Sequence, residues 1–191
     1  DIIDYIEKNP NIVSLIRTAK NNNLAVDEID QLELSINKSK TKSLIVAAGL
    51  GSRLKNHTEN TPKCMLDFGG KTLLQRQLTS YSECGIVDIS LVRGFKKSKI
   101  NYKGIKYFDN DDYKNNNILN SIFYAEEEIN GNIIISYSDI LFEPFIVQRA
   151  LDSDHDISVV VDIDWKDYYI NRKDHPLSEA ENVIFNSNNE V

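Results

Sequence analysis

The residues with the most chemical capacity in this chain lie close together. Gly49, Gly51, Ser52 and Arg53 follow directly on the apolar run Leu44, Ile45, Val46, Ala47 and Ala48, and Lys63 comes shortly after, behind Thr61 and Pro62. An apolar run of this kind reads as a buried strand. It breaks into a short glycine-containing turn, and Ser52 offers an N-cap for a helical turn. Such a turn aims backbone N–H groups at whatever sits above the strand's C-terminal end, which suits a phosphate chain. Arg53 and Lys63 add two side-chain cations nearby. The plain alternative is a strand–turn–helix corner with surface charges.

Two better-known phosphate motifs do not fit. A dinucleotide fingerprint needs a third glycine where this chain has Leu54, and a Walker A loop ending at Gly70-Lys71-Thr72 would need its first glycine at Met65. Gly69-Gly70 reads as a tight turn before a helix starting near Lys71. Asp139 stands between the apolar stretches 133–135 and 140–142. A carboxylate pinned there is costly unless it is paired or metal-bound; capping the next helix is the alternative. Asn115, Asn116 and Asn117 precede a further helix, with Asn120 and Ser121 a turn on. Their amides both donate and accept, as reading a base or ribose requires, or they form a capping loop. Residues 110–112 read as a turn.

These groups need a scaffold. The pattern alternates strand and helix from Ser43 onward: strands over 44–48, 87–92, 104–108, 133–137 and the β-branched 157–161, and helices over 71–84, 118–129 and 143–151. A short helix is expected at 96–100. In helix 118–129, Ile122, Ala125 and Ile129 should face inward. Gly85 reads as a helix stop and Pro144 as a first-turn residue. This rhythm predicts an α/β fold around a mostly parallel sheet with right-handed crossovers. In such sheets ligands sit outside the carboxyl ends of the strands. The glycine turn, Asp109 and Asp139 all fall on that edge. Residues 1–40 have a different texture, with apolar residues at helical spacing, and read as a helical linker or the tail of an upstream domain. Residues 42–191 form the main domain. Both ends read as cut from a longer chain.

The chain has 191 residues, 41% hydrophobic and 27% charged, with net charge −7. That acidity argues against a broad nucleic-acid surface, which needs a basic footprint. It leaves room for a nucleotide site built from local cations and a metal. No membrane-length apolar run or signal peptide is visible, so a reduced cytoplasmic setting is expected. Cys64 and Cys84 lack metal-ligand spacing, and Cys64 reads as a small core residue. His57 and His155 read as surface residues.

The run Ala47-Ala48-Gly49-Leu50-Gly51-Ser52-Arg53-Leu54 followed by Pro62-Lys63 resembles the signature of nucleotidyltransferases that activate phosphorylated sugars and alcohols. The segments 59–63, 115–121 and 137–142 are similar to phosphocholine cytidylyltransferases and to the phosphonate cytidylyltransferases often fused to phosphoenolpyruvate mutases. Asp162, Asp164, Trp165, Arg172, His175 and Glu179 lean toward the phosphonate group. The resemblance implies a three-layer, Rossmann-like (GT-A-like) fold and transfer of CMP from CTP to a small phosphonate or phosphoalcohol, with release of pyrophosphate. It implies nucleotide contacts from Ala47, Ala48, Gly49, Gly51, Ser52, Asn116, Asn117 and Ser121. A second metal-binding Asp is expected late in the chain, with Asp162 or Asp164 as a fallback.

In that reaction the nucleophile is already anionic, so no general base is needed. The barrier is repulsion among anions, and catalysis is positioning plus positive charge. Arg53 is assigned to the leaving pyrophosphate, Lys63 to the α-phosphate and the incoming anion, and Asp139 to Mg²⁺. Asp162, Asp164 and Trp165, with Tyr168 and Tyr169, form an acidic–aromatic cluster suited to an ammonium, or a lid packed by aromatics. Arg172 and His175 could take a phosphonate instead. A sugar-1-phosphate transferase and a non-catalytic nucleotide-binding module of a fused protein are the rival readings. A fused or associated enzyme domain and a homo-oligomer remain open.

Overall fold

The computed structural model describes residues 40–170, 177, 180 and 183–188. The helical stretch expected over 1–40 lies outside the described residues except for Lys40, and Arg172, His175 and Glu179 lie outside them too. The chain divides into two compact units, Asp1–Asp152 and Ser153–Val191.

The first unit is built on a four-stranded sheet in the order β3-β2-β1-β4, where β1 is Lys42–Ala47, β2 Ile89–Arg93, β3 Ile105–Asp109 and β4 Ile133–Tyr137. All three pairings are parallel, with Ile45 opposite Leu91 on one side and Ser136 on the other. β1 lies inside the sheet, and its last five residues are buried. That is why it reads as an unbroken apolar run and not as an alternating one. Its side chains still alternate between two cores. Ile45 and Ala47 join Leu74, Tyr81, Ile86, Leu91 and Val147 on one face. Leu44 and Ala48 join Val92, Ala125 and Ile122 on the other. The helices α1 (Leu73–Glu83) and α3 (Pro144–Leu151) cover the first face and α2 (Ile118–Phe123) the second, giving the expected three layers.

Local chemistry sets the helix ends. Thr72 and Gln75 form a reciprocal capping box at the start of α1, and Gly85, at φ +78°, follows its end. Gly69 and Gly70 both have positive φ and make the expected turn, closed by a bridge between Asp67 and Thr72.

Two expectations need correction. Residues 157–161 form no strand, and Ile157 is 86% exposed. β-branched composition favours a strand only when a neighbour supplies the ladder and a face to pack on, and among the described residues none pairs with this segment. The helix expected over 118–129 stops at Phe123, and Glu126–Glu128 forms a separate 3-10 turn. Three successive glutamates at a helix C-terminus oppose its dipole. Glu128 turns instead to Lys42 at 3.4 Å and Lys106 at 3.2 Å. Ala125 stays buried and Ile122 partly buried, but Ile129 is exposed.

The ends of β2 and β3 are clamped by Arg93. Its Nε donates to Asp109 at 2.8 Å, its Nη1 to the Ile100 carbonyl at 2.9 Å, and its guanidinium lies 4.1 Å from the Tyr107 ring centre. The hydrogen bond from Arg93, with a further one from Lys97, holds the Asp109 carboxyl below its ordinary range. A carboxylate held low in the fold stabilises it above the ordinary Asp value, and that contribution is lost as pH falls through the folded value. Asp109→Asn should therefore flatten the acid limb of the stability curve. Urea midpoints followed from neutral pH down through the carboxylate range test this; an unchanged slope would mean the clamp carries no linkage.

Candidate active site

Because the sheet is parallel, all four strands end on one edge, where the glycine turn, Asp109 and Asp139 lie. After β1, Ala48 is buried while Gly49 and Leu50 are exposed. Gly51 sits at φ +62°, and a Cβ on it would lie 3.2 Å from Thr58 Cγ2 and 3.4 Å from Lys63 Cβ. Left-handed backbone and close approach therefore coincide at Gly51, and they bring the turn against the segment that carries Lys63. Thr58 Oγ1 donates to the Gly51 carbonyl at 2.7 Å and ties that closure. Ser52 is not an N-cap. It is the first residue of the 3-10 helix Ser52–His57, whose Leu54 N–H returns to the Gly51 carbonyl at 3.0 Å. The glycine conformation starts the tight turn before Ser52 can flank it. Arg53 is exposed on that helix.

Lys63 opens a second 3-10 turn, Lys63–Met65, directly after the buried Pro62. Its ammonium meets the Asp139 carboxylate at 2.5 Å, with the two side chains 34% and 35% exposed. Asp139 stands just past the end of β4, where the Ser138 N–H still donates to the Val46 carbonyl at 3.1 Å. Two residues far apart in the chain thus meet beside the glycine turn, because β1 and β4 are neighbours in the sheet. A pair this exposed contributes little to stability. Cys64 is buried in the core next to Lys63, and burial pushes its thiol up to about 12. It is a packing residue and not a nucleophile, as expected.

Asn116 and Asn117 lie at the end of β3 and the start of α2. The Asn117 side chain caps α2 by accepting the Asn120 N–H at 2.9 Å. Asn116 exchanges two amide hydrogen bonds of 3.1 Å with Asn110, and Asn110 also donates to Ser121 Oγ at 2.9 Å. Asn110 is 0% exposed. A sequence reading that treats it as part of a turn misses it, although an amide directly after a strand-ending Asp109 was the available signal. Asn116, Asn120, Asp112, Phe123 and Tyr124 line an open hollow of about 400 Å³. A larger hollow of about 520 Å³ runs along α1 past Lys71, Gln75 and Glu83, and none of the predicted site residues lines it.

Gly94 was also missed. It directly follows β2, and a Cβ there would fall 2.7 Å from the Ala48 carbonyl oxygen and 2.8 Å from Tyr113 Cβ. The next residue, Phe95, donates its N–H to that same carbonyl at 3.1 Å. Gly94 thus lets the β2 exit hold the first residue of the glycine turn.

In the second unit, Asp162 accepts the Asp164 N–H at 2.9 Å, and Trp165 packs edge-on to Tyr169 with ring centres 5.4 Å apart. Lys166 stands 5.8 Å from the Trp165 ring centre. The acids are exposed, and the Trp165–Tyr169 pair makes a small aromatic cluster. His57 and His155 are exposed, as expected. Among the described residues, no group of three or more His, Cys, Asp or Glu side chains is placed to hold a metal.

A sequence profile of the MobA-like NTP transferase domain matches residues 43–178. The chain belongs to this nucleotidyltransferase family. It is 30% identical over 152 residues to a CTP:phosphoglutamine cytidylyltransferase of Campylobacter jejuni, a match that covers 74% of this chain and 60% of that one. It is 35% identical to a choline-phosphate cytidylyltransferase of Streptococcus pneumoniae over 53% of this chain and 46% of the relative. A solved structure of CTP:phosphocholine cytidylyltransferase from the same organism superposes with a TM-score of 0.50, covering 52% of this chain and 45% of that one. A 2-aminoethylphosphonate cytidylyltransferase of Lancefieldella rimae is 29% identical over 55% of this chain and 45% of its own length. The NTP transferase chain thus spans about half the length of the curated relatives it matches. The Rossmann-like fold and the family resemblance read from the glycine turn both stand.

In this NTP transferase domain, Gly94→Ala should cost ~1–3 kcal/mol, because a packed methyl must displace the Ala48 carbonyl or Tyr113. Gly49→Ala meets nothing within 4 Å and should stay within ~0.5 kcal/mol of the parent. Urea unfolding of both variants decides; equal midpoints would mean the β2 exit does not hold the turn.

Proposed function

We propose that the domain is the nucleotide-handling part of a CTP-dependent cytidylyltransferase that couples CMP to a small phosphonate or phosphoalcohol and releases pyrophosphate. The observation that carries this is the meeting of Lys63 and Asp139 beside the glycine turn. A cation and a metal-competent carboxylate at a strand edge answer the two needs of phosphoryl chemistry: charge at the reacting phosphorus and charge on the leaving group. The names of several relatives favour CTP over other nucleotides.

The acceptor oxygen forms a bond to the α-phosphorus while the bond from that phosphorus to the bridging oxygen breaks, and pyrophosphate leaves with that electron pair. The acceptor is already deprotonated, so no side chain takes a proton. Lys63 faces the α-phosphate and draws the incoming anion to it, and Pro62 stiffens the turn that presents it. Arg53 takes the oxygens of the leaving pyrophosphate with its planar fork. The N–H groups of the 48–52 turn receive the phosphates, and the loop of Asn116, Asn117 and Ser121 borders the nucleoside. Asp139 would hold Mg²⁺, which neutralises phosphate charge when bound. A lone half-exposed carboxylate fits this metal, because Mg²⁺ keeps waters and borrows phosphate oxygens. Asp162, Asp164, Trp165 and Arg172 are proposed for the acceptor, whose aminoalkyl end suits an acidic–aromatic surface. The two free thiols, Cys64 and Cys84, are consistent with a cytoplasmic enzyme. No helix among the described residues is long and apolar enough to cross a membrane.

The full-length protein with CTP and Mg²⁺ should release pyrophosphate in the presence of phosphocholine, 2-aminoethylphosphonate or a related phosphorylated amine. Lys63→Ala should lower kcat about 100-fold or more, with a melting temperature near that of the parent because the lost pair is exposed. A preference for UTP with sugar phosphates would move the assignment to sugar activation, and no turnover with any acceptor would leave a binding module.

A further inference from the structure

Helix α1 carries a polar stripe on the face it buries. Gln77, Ser80 and Cys84, three and four residues apart, lie along one side of the helix and its cap. All three donate to backbone carbonyls of residues 137–144, which run from the last residue of β4 to the first of α3. Gln77 Nε2 reaches the Tyr137 carbonyl at 2.8 Å and the Ile140 carbonyl at 2.6 Å. Ser80 Oγ reaches the Phe142 carbonyl at 2.9 Å, and Cys84 Sγ reaches that of Pro144 at 3.1 Å. Asp139 lies between the two carbonyls that Gln77 grips.

The two ends of the segment have other holds: the Ser138 N–H bonds to the Val46 carbonyl at 3.1 Å, and Phe142 meets Tyr81 edge-on with ring centres 5.4 Å apart. Residues 138–143 form no helix or strand, and Ile140 and Leu141 are exposed, so apolar burial holds them weakly. Gln77 is 1% exposed, and its own Oε1 meets no donor among the described residues. A leucine or methionine would fill that space without desolvating an amide. The gain set against that cost is the grip on the two carbonyls. The same helix packs against the segment that follows Lys63: Leu74 and Tyr81 share a core with Cys64, and the Leu73 N–H donates to the Leu66 carbonyl at 3.2 Å.

We propose that Gln77 is a positioning residue for Asp139. It fixes the carboxylate relative to Lys63 by clamping the backbone on both sides of it, and through the carboxylate it sets how well the metal–nucleotide complex is held. This rests on the reading of Asp139 as the metal-holding carboxylate.

The test uses the full-length protein and two measurements. Hydrogen exchange of residues 138–143 reports on positioning alone, and titration with Mn²⁺ and CTP reports on its consequence. Gln77→Met should speed exchange in that segment while leaving β1 unchanged. It should also weaken Mn²⁺–CTP binding about tenfold or more, as loss of an outer-shell partner typically does, with CTP binding in the absence of metal unaltered. Ser80→Ala, which releases only the Phe142 carbonyl, should produce a smaller change in both; it carries the comparison if Gln77→Met does not fold. Unchanged exchange in the segment overturns the proposal, as does faster exchange with unaltered Mn²⁺–CTP binding where Asp139→Asn weakens it. If Asp139→Asn itself leaves Mn²⁺–CTP binding intact, the metal reading fails, and with it the proposed consequence of the clamp.

Discussion

The structure depends on one strand being buried on both faces. β1 has Ile45 and Ala47 in one core and Leu44 and Ala48 in the other, with a parallel neighbour on each side. No polar side chain can point outward from its centre, so the chemistry has to begin where the strand stops. It stops at a glycine turn whose first carbonyl is held by Phe95 and whose Gly51 lies against Lys63. Parallel pairing then brings the ends of β2, β3 and β4 to the same edge. The site is the place where four ladders run out of partners, and backbone groups freed there are available to a ligand.

Buried amides do the spacing around that edge. Asn110 joins the end of β3 to Asn116 and Ser121, and Gln77 joins α1 to the segment carrying Asp139. Both side chains are almost wholly out of water. Apolar packing is nondirectional and tolerates small slips, whereas an amide bonded at two points does not. These two amides lie where loops must be placed and not where mass must be filled.

The electrostatics follow the same division. The chain as a whole is acidic, yet cations concentrate at strand ends: Arg93 and Lys97 around Asp109, and Lys63 against Asp139. The first set ties strands together and leaves its carboxylate depressed. The second is a single exposed contact that adds little to stability and leaves both partners within reach of a charged ligand. Net charge says nothing about where an anion binds; the arrangement of a few side chains at the edge does.

The glycine turn, the alternation of strand and helix and the helix stop at Gly85 were legible in the letters, because each depends on local conformation or on a short apolar period. Residues 157–161 were misread as a strand for the same reason: composition records a preference, while a ladder needs a neighbour. Only the tertiary structure revealed that Lys63 and Asp139 touch, that Gly94 is required by the Ala48 carbonyl, that Asn110 is a clamp and not part of a turn, and that Gln77 is a clamp too. Those facts are set by which strands lie side by side, a long-range arrangement that no window of neighbouring residues contains.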